Sequence, residues 1–244
     1  MRIPQIRIIR IFALSLLFSA SALITKAQAQ EEAHYSTEFV WGLTKATNSG
    51  LLGGFVFRYS QLVKGRQFQT FAAELVNIKH PNETREQLPQ TGNSILVGKS
   101  NYLYDLRLQY GRDFIVFKKA QHKGVQINAI FAGGPSIGIV TPYYVDYNGQ
   151  NGREKVPYTG NNMNFNNILG PGNLFQGVPD ASIAPGLNAK AGLAFEFGAK
   201  NDLFVVETGV MYEYFFKEIE ILLYQKKYQS YPNAYITISY GSRR

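Results

Sequence analysis

Residues 101–110 read NYLYDLRLQY, and their side chains alternate between apolar and polar along the whole stretch. Successive side chains of a strand point to opposite faces, so Tyr102, Leu106 and Tyr110 share an apolar face, while Asp105 and Arg107 lie on the other. In a water-soluble protein the apolar face would meet a core. In an outer-membrane barrel it meets lipid, and the polar face points into the lumen. The rest of the sequence must decide between these two structures.

The N-terminal region has the parts of a secretory signal peptide. A basic region is followed by an apolar run and a small-x-small cleavage site: Arg2, Arg7, Arg10, Ile11–Ile24 and Ala27–Ala29. The alternative is an N-terminal membrane anchor, but an anchor needs about twenty apolar residues and this run is shorter. We therefore expect residues 1–29 to be a signal peptide and the mature chain to begin at Gln30.

Charge and composition exclude several classes of function. Four basic residues and no acidic residue leave with the predicted signal peptide, so the net charge of +8 becomes +4. This mild charge on an exported protein argues against a nucleic-acid partner. The chain has no cysteine, which excludes disulfides, thiol catalysis, thiolate metal sites and a lipid-modified N-terminal cysteine. After the signal peptide no apolar run has the length of a transmembrane helix, so a membrane role would require strands or peripheral attachment.

Eight segments alternate with the period of a strand. They are His34–Asn48, Leu51–Ser60, Gln67–Ile78, Asn101–Tyr110, Val125–Tyr147, Leu187–Phe197, Phe204–Phe216 and Ala234–Tyr240. Phe114–Phe117 is ambiguous, because it could extend the fourth segment past a bulge or form a separate strand and raise the number to ten. A kink is expected at Gly133-Gly134-Pro135, since proline cannot donate to a ladder.

The connections between these segments alternate in length. Gln61–Arg66, Lys118–Gly124 and Ala199–Asp202 are short, whereas His80–Asn101, Asn148–Ser182 and Lys217–Asn233 are long and lack periodicity. Short periplasmic turns and long outer loops are typical of outer-membrane barrels. We therefore predict an all-β fold for residues 30–244: a single antiparallel, up-and-down transmembrane β-barrel of about eight strands in the cell outer membrane. A soluble ligand-binding β-barrel remains an alternative.

The parity of the strands assigns nine ionisable residues to the lumen: Glu38, Arg58, Glu74, Asp105, Arg107, Lys190, Glu196, Glu207 and Glu213. Eight strands leave an interior about wide enough for side chains to fill, and buried charges are costly unless they are paired. We interpret these residues as an internal charge network that holds the barrel together. The alternative is a pathway for protons or small solutes through a narrow, porin-like channel.

Outward-facing tyrosines near strand ends predict an aromatic girdle at the two membrane interfaces: Tyr35, Tyr59, Tyr102, Tyr110, Tyr212, Tyr214 and Tyr240. The alternative is that these rings form a ligand-binding stripe. In either case the predicted surroundings of the barrel are outer-membrane lipid, and the chain is expected to be a monomer.

The sequence offers little for catalysis. The three histidines, His34, His80 and His122, fall on different sides of the predicted topology, so no metal site is expected, and nothing indicates a cofactor. Gly133–Ser136 is not a phosphate loop, because the lysine and the helix of that motif are absent. His80, Glu83 and Ser94 could form a hydrolase at the outer rim, but such residues often occur together in loops by chance. We expect no enzymatic activity.

Four segments carry a resemblance to a known family: Glu74–Glu83, Gly98–Gly111, Gly124–Tyr144 and Pro185–Gly198. They resemble small, largely uncharacterised outer-membrane β-barrel proteins of Bacteroidota-type bacteria. The resemblance spans the mature chain and implies the same fold and location, but it supplies no catalytic residues. The expected function is structural, adhesive or accessory, carried by the loops around Pro81–Ser100 and Asn148–Ser182, with other envelope proteins as candidate partners.

Overall fold

The structure is a computed structural model that describes residues 36–118, 124–150, 152–160, 165–173, 176–198 and 202–244. The predicted signal peptide, His34, Tyr35 and His122 lie outside the described residues. The fold is all-β with antiparallel sheets, which confirms the predicted fold class at this level. In the part of the chain that is described, no helix has the length and apolar character needed to cross a membrane.

The described residues form fourteen strands: β1 (Thr37–Ala46), β2 (Ser49–Lys64), β3 (Gln67–Ile78), β4 (Arg85–Gln87), β5 (Ser94–Leu96), β6 (Asn101–Phe117), β7 (Gln126–Pro142), β8 (Tyr144–Gly149), β9 (Gly152–Pro157), β10 (Ile168–Pro171), β11 (Ser182–Phe197), β12 (Asp202–Ile219), β13 (Tyr228–Ser230) and β14 (Asn233–Arg243). Two 3-10 turns, Phe165–Asn167 and Val178–Asp180, lie between them.

Eight long strands make up the main sheet, and each pairs antiparallel with two others. The pairings run β1, β2, β3, β6, β7, β11, β12, β14, and β14 pairs again with β1. β2 is joined to β3, β6 to β7 and β11 to β12 at the same end of the sheet, which we call the turn end. The opposite end, where the long connections lie, is called the loop end.

Two strands that the sequence suggested could be interrupted are continuous in the structure. β6 runs to Phe117 with a register shift against β7 between Ile115 and Phe117, so Phe114–Phe117 is not a separate strand. β7 continues through Gly133-Gly134-Pro135, and its register against β6 is the same on both sides of them. Gly134 and Pro135 themselves have no partner on β6, because proline lacks the N–H group that the ladder needs.

The sequence patterns underestimated the structure of the connections. Asn148–Ser182, predicted as irregular, contains β9, β10 and the end of β8, which form a three-stranded sheet in the order β10-β8-β9, so that prediction is wrong. The other two long connections contain the β4–β5 hairpin and β13, which pairs with β12. These strands have three to six residues, too few for a period-two pattern to be recognised. Gln61–Lys64, predicted as part of a turn, belongs to β2.

The two faces of the main sheet differ sharply in polarity. Along β1, the side chains of Phe39, Trp41 and Leu43 are 48%, 54% and 55% exposed, while those of Val40 and Thr44 are buried. The other long strands repeat this alternation, and their buried positions carry most of the charged side chains of the sheet. The exposed face is therefore apolar, and the buried face is mixed and strongly ionic.

Apolar clusters occupy the buried face near both ends of the strands. The loop-end cluster consists of Val76, Ile78, Leu103, Val140, Ala184, Phe215, Ile219, Ile221 and Tyr231. The turn-end cluster consists of Val40, Ile130, Ala194, Leu203 and Val205. Most of the ionic side chains lie at strand positions between these two clusters, so water has little access to them from either end.

Candidate functional site: a buried ionic network and a loop platform

All nine residues that the sequence assigned to a charge network are buried, and none is more than 6% exposed. They come from six strands of the main sheet: β1, β2, β3, β6, β11 and β12. Period-two alternation places them on one face, because every second side chain of a strand points to the same side. The structure brings most of them into direct contact.

Arg107 is the central cation in the part of the network that lies nearer the loop end. Its guanidinium donates two hydrogen bonds to Glu213, from Nε to Oε1 at 2.7 Å and from Nη2 to Oε2 at 2.8 Å. Nη1 donates to Glu74 Oε2 at 3.0 Å. Asp105, on the same strand, is farther away, with 3.4 Å between its Oδ2 and the Nε of Arg107. Bidentate guanidinium–carboxylate pairs are among the strongest polar contacts, so Glu213 is the main partner of Arg107.

Lys190 continues the network toward the turn end. Its ammonium lies 2.9 Å from Glu74 Oε1 and 3.1 Å from Glu207 Oε1. Glu207 also accepts hydrogen bonds from Arg58 Nη1 at 3.0 Å and from the hydroxyl of Tyr235 at 2.7 Å. Acids and bases therefore alternate from Arg58 through to Glu213, and each charge faces at least one opposite charge.

A second group of polar side chains lies at the turn end. Glu196 accepts hydrogen bonds from the amides of Gln126 and Asn128, and Arg243 Nη2 lies 3.5 Å from its Oε2. Arg243 Nε is also 4.0 Å from Glu38 Oε1. These contacts connect β1, β7, β11 and β14, so the ionic groups link strands well beyond neighbouring pairs.

Two charged members of the buried face were missed by the sequence patterns. Asp113 accepts a hydrogen bond from the hydroxyl of Thr70 at 2.9 Å, and Arg243 pairs with Glu38 and Glu196. Both lie beyond the predicted ends of their strands, at Tyr110 and Tyr240. The parity that selected Asp105 and Arg107 also selects Asp113 once β6 is extended to Phe117, so the missing signal was strand length.

Several carboxylate oxygens are among the buried polar atoms that lack a hydrogen-bond partner. Among the described residues these atoms include both carboxylate oxygens of Asp105, Oε1 of Glu38 and Oδ1 of Asp113. A buried carboxylate with incomplete hydrogen bonding is costly. The hydrogen bonding of these three carboxylates is incomplete, although each has a polar neighbour: Arg107 for Asp105, Arg243 for Glu38 and Thr70 for Asp113. No group of three or more His, Asp or Glu side chains in the described ranges is arranged to hold a metal ion.

The predicted girdle tyrosines have different surroundings in the structure. Tyr59, Tyr110, Tyr212, Tyr214 and Tyr240 are 40–52% exposed on the apolar face. Tyr110 and Tyr212 nevertheless lie near the middle of β6 and β12, because both strands continue beyond their predicted ends.

Tyr102 differs from these exposed tyrosines. It is half-buried against a cluster formed by the long connections, with its ring 5.5 Å from that of Tyr143. Strand parity did not reveal this contact, because it does not show what a long connection covers, and the girdle assignment of Tyr102 stays a prediction. For the exposed tyrosines the girdle also stays a prediction.

The long connections pack around an apolar core of their own. Its buried members are Leu88, Ile95, Leu96, Tyr143, Val145 and Ile168. Together with β4, β5, β8, β9 and β10 they form what we call the loop platform. The Tyr143 hydroxyl accepts a hydrogen bond from the Leu96 amide at 3.3 Å, and the Asn93 side chain donates to the carbonyl of Leu169 at 2.8 Å. These contacts join two connections that are far apart in the sequence.

A buried ion pair lies beside the platform. Lys99 and Glu83 are 1% and 3% exposed and form a short ion pair, and the Lys99 ammonium lies 4.6 Å from the ring centroid of Tyr102. Burial lowers the pKa of Lys99, and the neighbouring Glu83 carboxylate opposes that shift. Lys99 also forms an isolated antiparallel β-bridge with Leu222. Lys99 therefore helps to attach the β12–β14 connection to the platform.

His80 packs into the same region. Its Nδ1 accepts a hydrogen bond from the Asn82 amide at 3.1 Å, its Nε2 is buried without a partner, and its ring lies 5.4 Å from that of Tyr228. Burial lowers the pKa of His80, and the positive charge of Lys99 lowers it further against the effect of Glu83. The imidazole is therefore held neutral at pH 7.

The rim-hydrolase alternative finds little geometric support. The carboxylate that would orient His80 is that of Glu83, which is bound by Lys99 and lies 3.8 Å from the Lys79 ammonium. Ser94 is exposed on β5, in the hairpin with β4. A catalytic serine needs a base within hydrogen-bond reach and a third group that orients the base.

Comparisons with known proteins add no relative from which a role could be transferred. The sequence matches no protein-family model, and no curated protein is significantly similar to it.

Proposed function

We propose that this chain is an integral outer-membrane β-barrel protein that displays a rigid loop platform on the outer surface, with a structural, adhesive or accessory role. The eight long strands would form the closed barrel, and the ionic network would fill its lumen. The resemblance to small barrel proteins of Bacteroidota-type bacteria and the predicted signal peptide agree with this proposal.

The inverted polarity of the sheet carries this proposal. Phenylalanine, leucine, valine and tyrosine side chains occupy the exposed face, while glutamate, aspartate, arginine and lysine are buried. Exposed apolar surface costs about 25 cal/mol per Å² in water, and contiguous apolar patches beyond a few hundred Å² are rare on monomeric soluble proteins. In a bilayer the same face meets lipid at no such cost, whereas the charges are satisfied inside.

The lengths of the strands are compatible with this arrangement. The eight strands have 10 to 18 residues, and a tilted strand needs about 9–11 to cross the hydrocarbon core. β6, β7 and β12, with 17, 17 and 18 residues, exceed that length most, and their loop-end portions would extend beyond the bilayer to support the platform.

The loop platform supports a binding or adhesive role better than a purely structural one. A connection that only closed a barrel would need no apolar core, yet these connections bury tyrosine, leucine and isoleucine side chains. Ordering such segments costs conformational entropy, so a preformed surface is useful where a partner must be bound without that cost.

The two apolar clusters support a closed lumen rather than a narrow pore. The loop-end cluster contains bulky rings, Phe215 and Tyr231, above the ionic network, and the turn-end cluster lies below it. We expect no stable conductance in planar-bilayer recordings; reproducible unitary steps would favour the porin-like alternative.

The single tryptophan provides a direct test of membrane insertion. Trp41 is the only tryptophan of the chain, lies near the middle of β1 and is 54% exposed on the apolar face. We expect its fluorescence to be quenched strongly by phospholipids brominated along the acyl chain after reconstitution into vesicles. The protein should also fractionate with outer membranes and migrate faster on gels before heating than after.

A matched control uses a tryptophan on the buried face. The variant Trp41→Phe, Val205→Trp moves the fluorophore to a position that is 1% exposed, where the same lipids should quench it weakly. Recovery of the protein in the soluble periplasm, or equal quenching of both fluorophores, would contradict the proposal and favour a soluble barrel.

A further inference from the structure

Arg112 is a cation on the apolar face of the sheet. It lies on β6 between Tyr110 and Phe114, which share its face, and it pairs in register with Gln69 of β3 and Phe131 of β7. Its guanidinium carbon lies 5.8 Å from the ring centroid of Tyr110. Tyr110, Phe114 and Phe131 are 41–56% exposed, so aromatic residues predominate at the positions next to Arg112 on this face.

Arg112 has no acidic partner among the residues that the structure describes: no carboxylate oxygen lies within 4.0 Å of its guanidinium. The cations of the ionic network, Arg58, Arg107 and Lys190, are buried and paired with glutamates. Arg112 differs from them in pointing away from that network.

We infer that Arg112 binds the phosphate of an anionic phospholipid in the membrane leaflet at the turn end. This inference rests on the proposed function, because only a membrane-embedded sheet presents lipid to this face. An arginine on the lipid face costs about 2–4 kcal/mol at the bilayer midplane and little near the interface. Its long side chain can reach the headgroup region, and its planar fork matches two phosphate oxygens.

The position of Arg112 along β6 agrees with a headgroup contact. It lies five residues before Phe117, the last residue of the strand at the turn end. The Arg66 carbonyl, in the β2–β3 turn, accepts a hydrogen bond from the Ile115 amide at 2.9 Å. The end of β2 at Lys64 and the turn at Arg66 therefore lie beside the turn-end part of β6, which contains Arg112. Lys118 directly follows β6 in the sequence.

The sign of the charges at the turn end favours an anionic headgroup. Lys64, Arg66, Arg112, Lys118 and Arg244 are the described basic residues on or near the outer surface there. On the acidic side, the described residue exposed in this region is Asp202, which accepts a hydrogen bond from the Tyr240 hydroxyl at 3.2 Å. These basic residues attract phosphatidylglycerol, which is anionic, more strongly than a zwitterionic lipid.

A tryptophan beside Arg112 can measure this preference. The reporter is Trp41→Phe, Phe114→Trp, reconstituted as the mature chain into phosphatidylcholine vesicles that contain brominated phosphatidylglycerol or brominated phosphatidylcholine. We expect quenching of the reporter to show that phosphatidylglycerol binds beside it about fivefold more strongly than phosphatidylcholine. This is the factor expected for one cation close to an anionic headgroup. The preference should fall to about one after Arg112→Gln and be partly retained after Arg112→Lys.

The native chain is the matched control. Trp41 pairs in register with Phe57 and Tyr240, and the adjacent positions of its own face carry Phe39 and Leu43. It should show no preference between the two lipids. An equal preference at both reporters, or one that survives Arg112→Gln, would overturn the inference. Absence of quenching at either tryptophan would instead contradict membrane insertion itself.

Discussion

Arg107 and Glu213 form a two-point ion pair between β6 and β12, two strands that do not pair with each other in the sheet. The contacts are 2.7 Å from Nε to Oε1 and 2.8 Å from Nη2 to Oε2, and both residues are buried. β7 and β11 lie between these strands in the order of pairing. The pair therefore connects distant parts of the main sheet through side chains rather than through the backbone ladder.

Removing Arg107 should be strongly destabilising. The variant Arg107→Met leaves Glu213 without its main partner and removes one of the two cations that face Glu74, so buried negative charges remain uncompensated. We expect a loss of about 3–5 kcal/mol in the free energy of unfolding, measured by urea titration in vesicles. The control Lys227→Met removes a solvent-accessible ion pair with Glu220 and should change the free energy of unfolding far less. Equal losses for the two variants would contradict a central role for Arg107.

Neutralising Asp105 should have the opposite effect and increase the free energy of unfolding. Its carboxylate is buried, lies 3.4 Å from Arg107 Nε and is repelled by the charge of Glu213. Asp105→Asn keeps the shape and removes this buried charge, so we expect a gain of about 1–3 kcal/mol in the same urea titration. A loss of stability would show that Asp105 is an essential part of the network. Glu74→Gln is the comparison, since Glu74 contacts both Arg107 and Lys190 and its neutralisation should be destabilising.

The buried pair of Lys99 and Glu83 should stabilise the loop platform without affecting the main sheet. Lys99→Met leaves the Glu83 carboxylate buried with the more distant Lys79 as its remaining cation. We expect hydrogen exchange in residues 79–101 and 220–232 to accelerate, while exchange in β3 and β12 stays unchanged. The double variant Lys99→Met, Glu83→Met should recover part of the protection, because replacing both charges leaves neither one unpaired. Acceleration throughout the sheet would contradict a local role.

The platform should loosen in mild acid because of His80. Burial lowers the pKa of His80 below its ordinary value of 6.5, so the unfolded loop binds a proton more readily than the packed one. Stability is therefore complete above pH 6.5 and falls as the pH drops below it, until the lowered pKa of the packed histidine is passed. We expect hydrogen exchange around Tyr228, corrected for the intrinsic rate, to be faster at pH 5 than at pH 7.5.

The variant His80→Gln removes this titration and should show no such difference between the two pH values. An unchanged pH response in that variant would assign the effect to another group. The charged groups to be tested next are Glu83, Lys79 and Lys99, which surround the imidazole.

Much of the fold could be predicted from the sequence, because strand parity is a local property. The alternation in NYLYDLRLQY assigned Asp105 and Arg107 to one face and Leu108 and Tyr110 to the other, and the structure buries the first two and exposes the last two. The same reasoning placed all nine predicted charges on the buried face. It missed Asp113 because the strand was ended too early, at Tyr110 instead of Phe117.

The partners of those charges could not be predicted. Asp105, two positions from Arg107, lies 3.4 Å from its Nε, but the main partner of Arg107 is Glu213, 106 positions away in the sequence. The loop platform was missed for a related reason. Its strands are short, and the apolar residues of its core, such as Leu88 and Ile168, come from different connections and show no common period.

The sequence by itself determined the all-β class and the two faces of each long strand, because these depend on a repeat of two residues along one segment. Only the tertiary structure decided which charge meets which, where apolar clusters cover the ionic network, and that Tyr102 is packed beneath a connection. Those contacts depend on the register between strands and on how distant connections fold together. No local pattern encodes them.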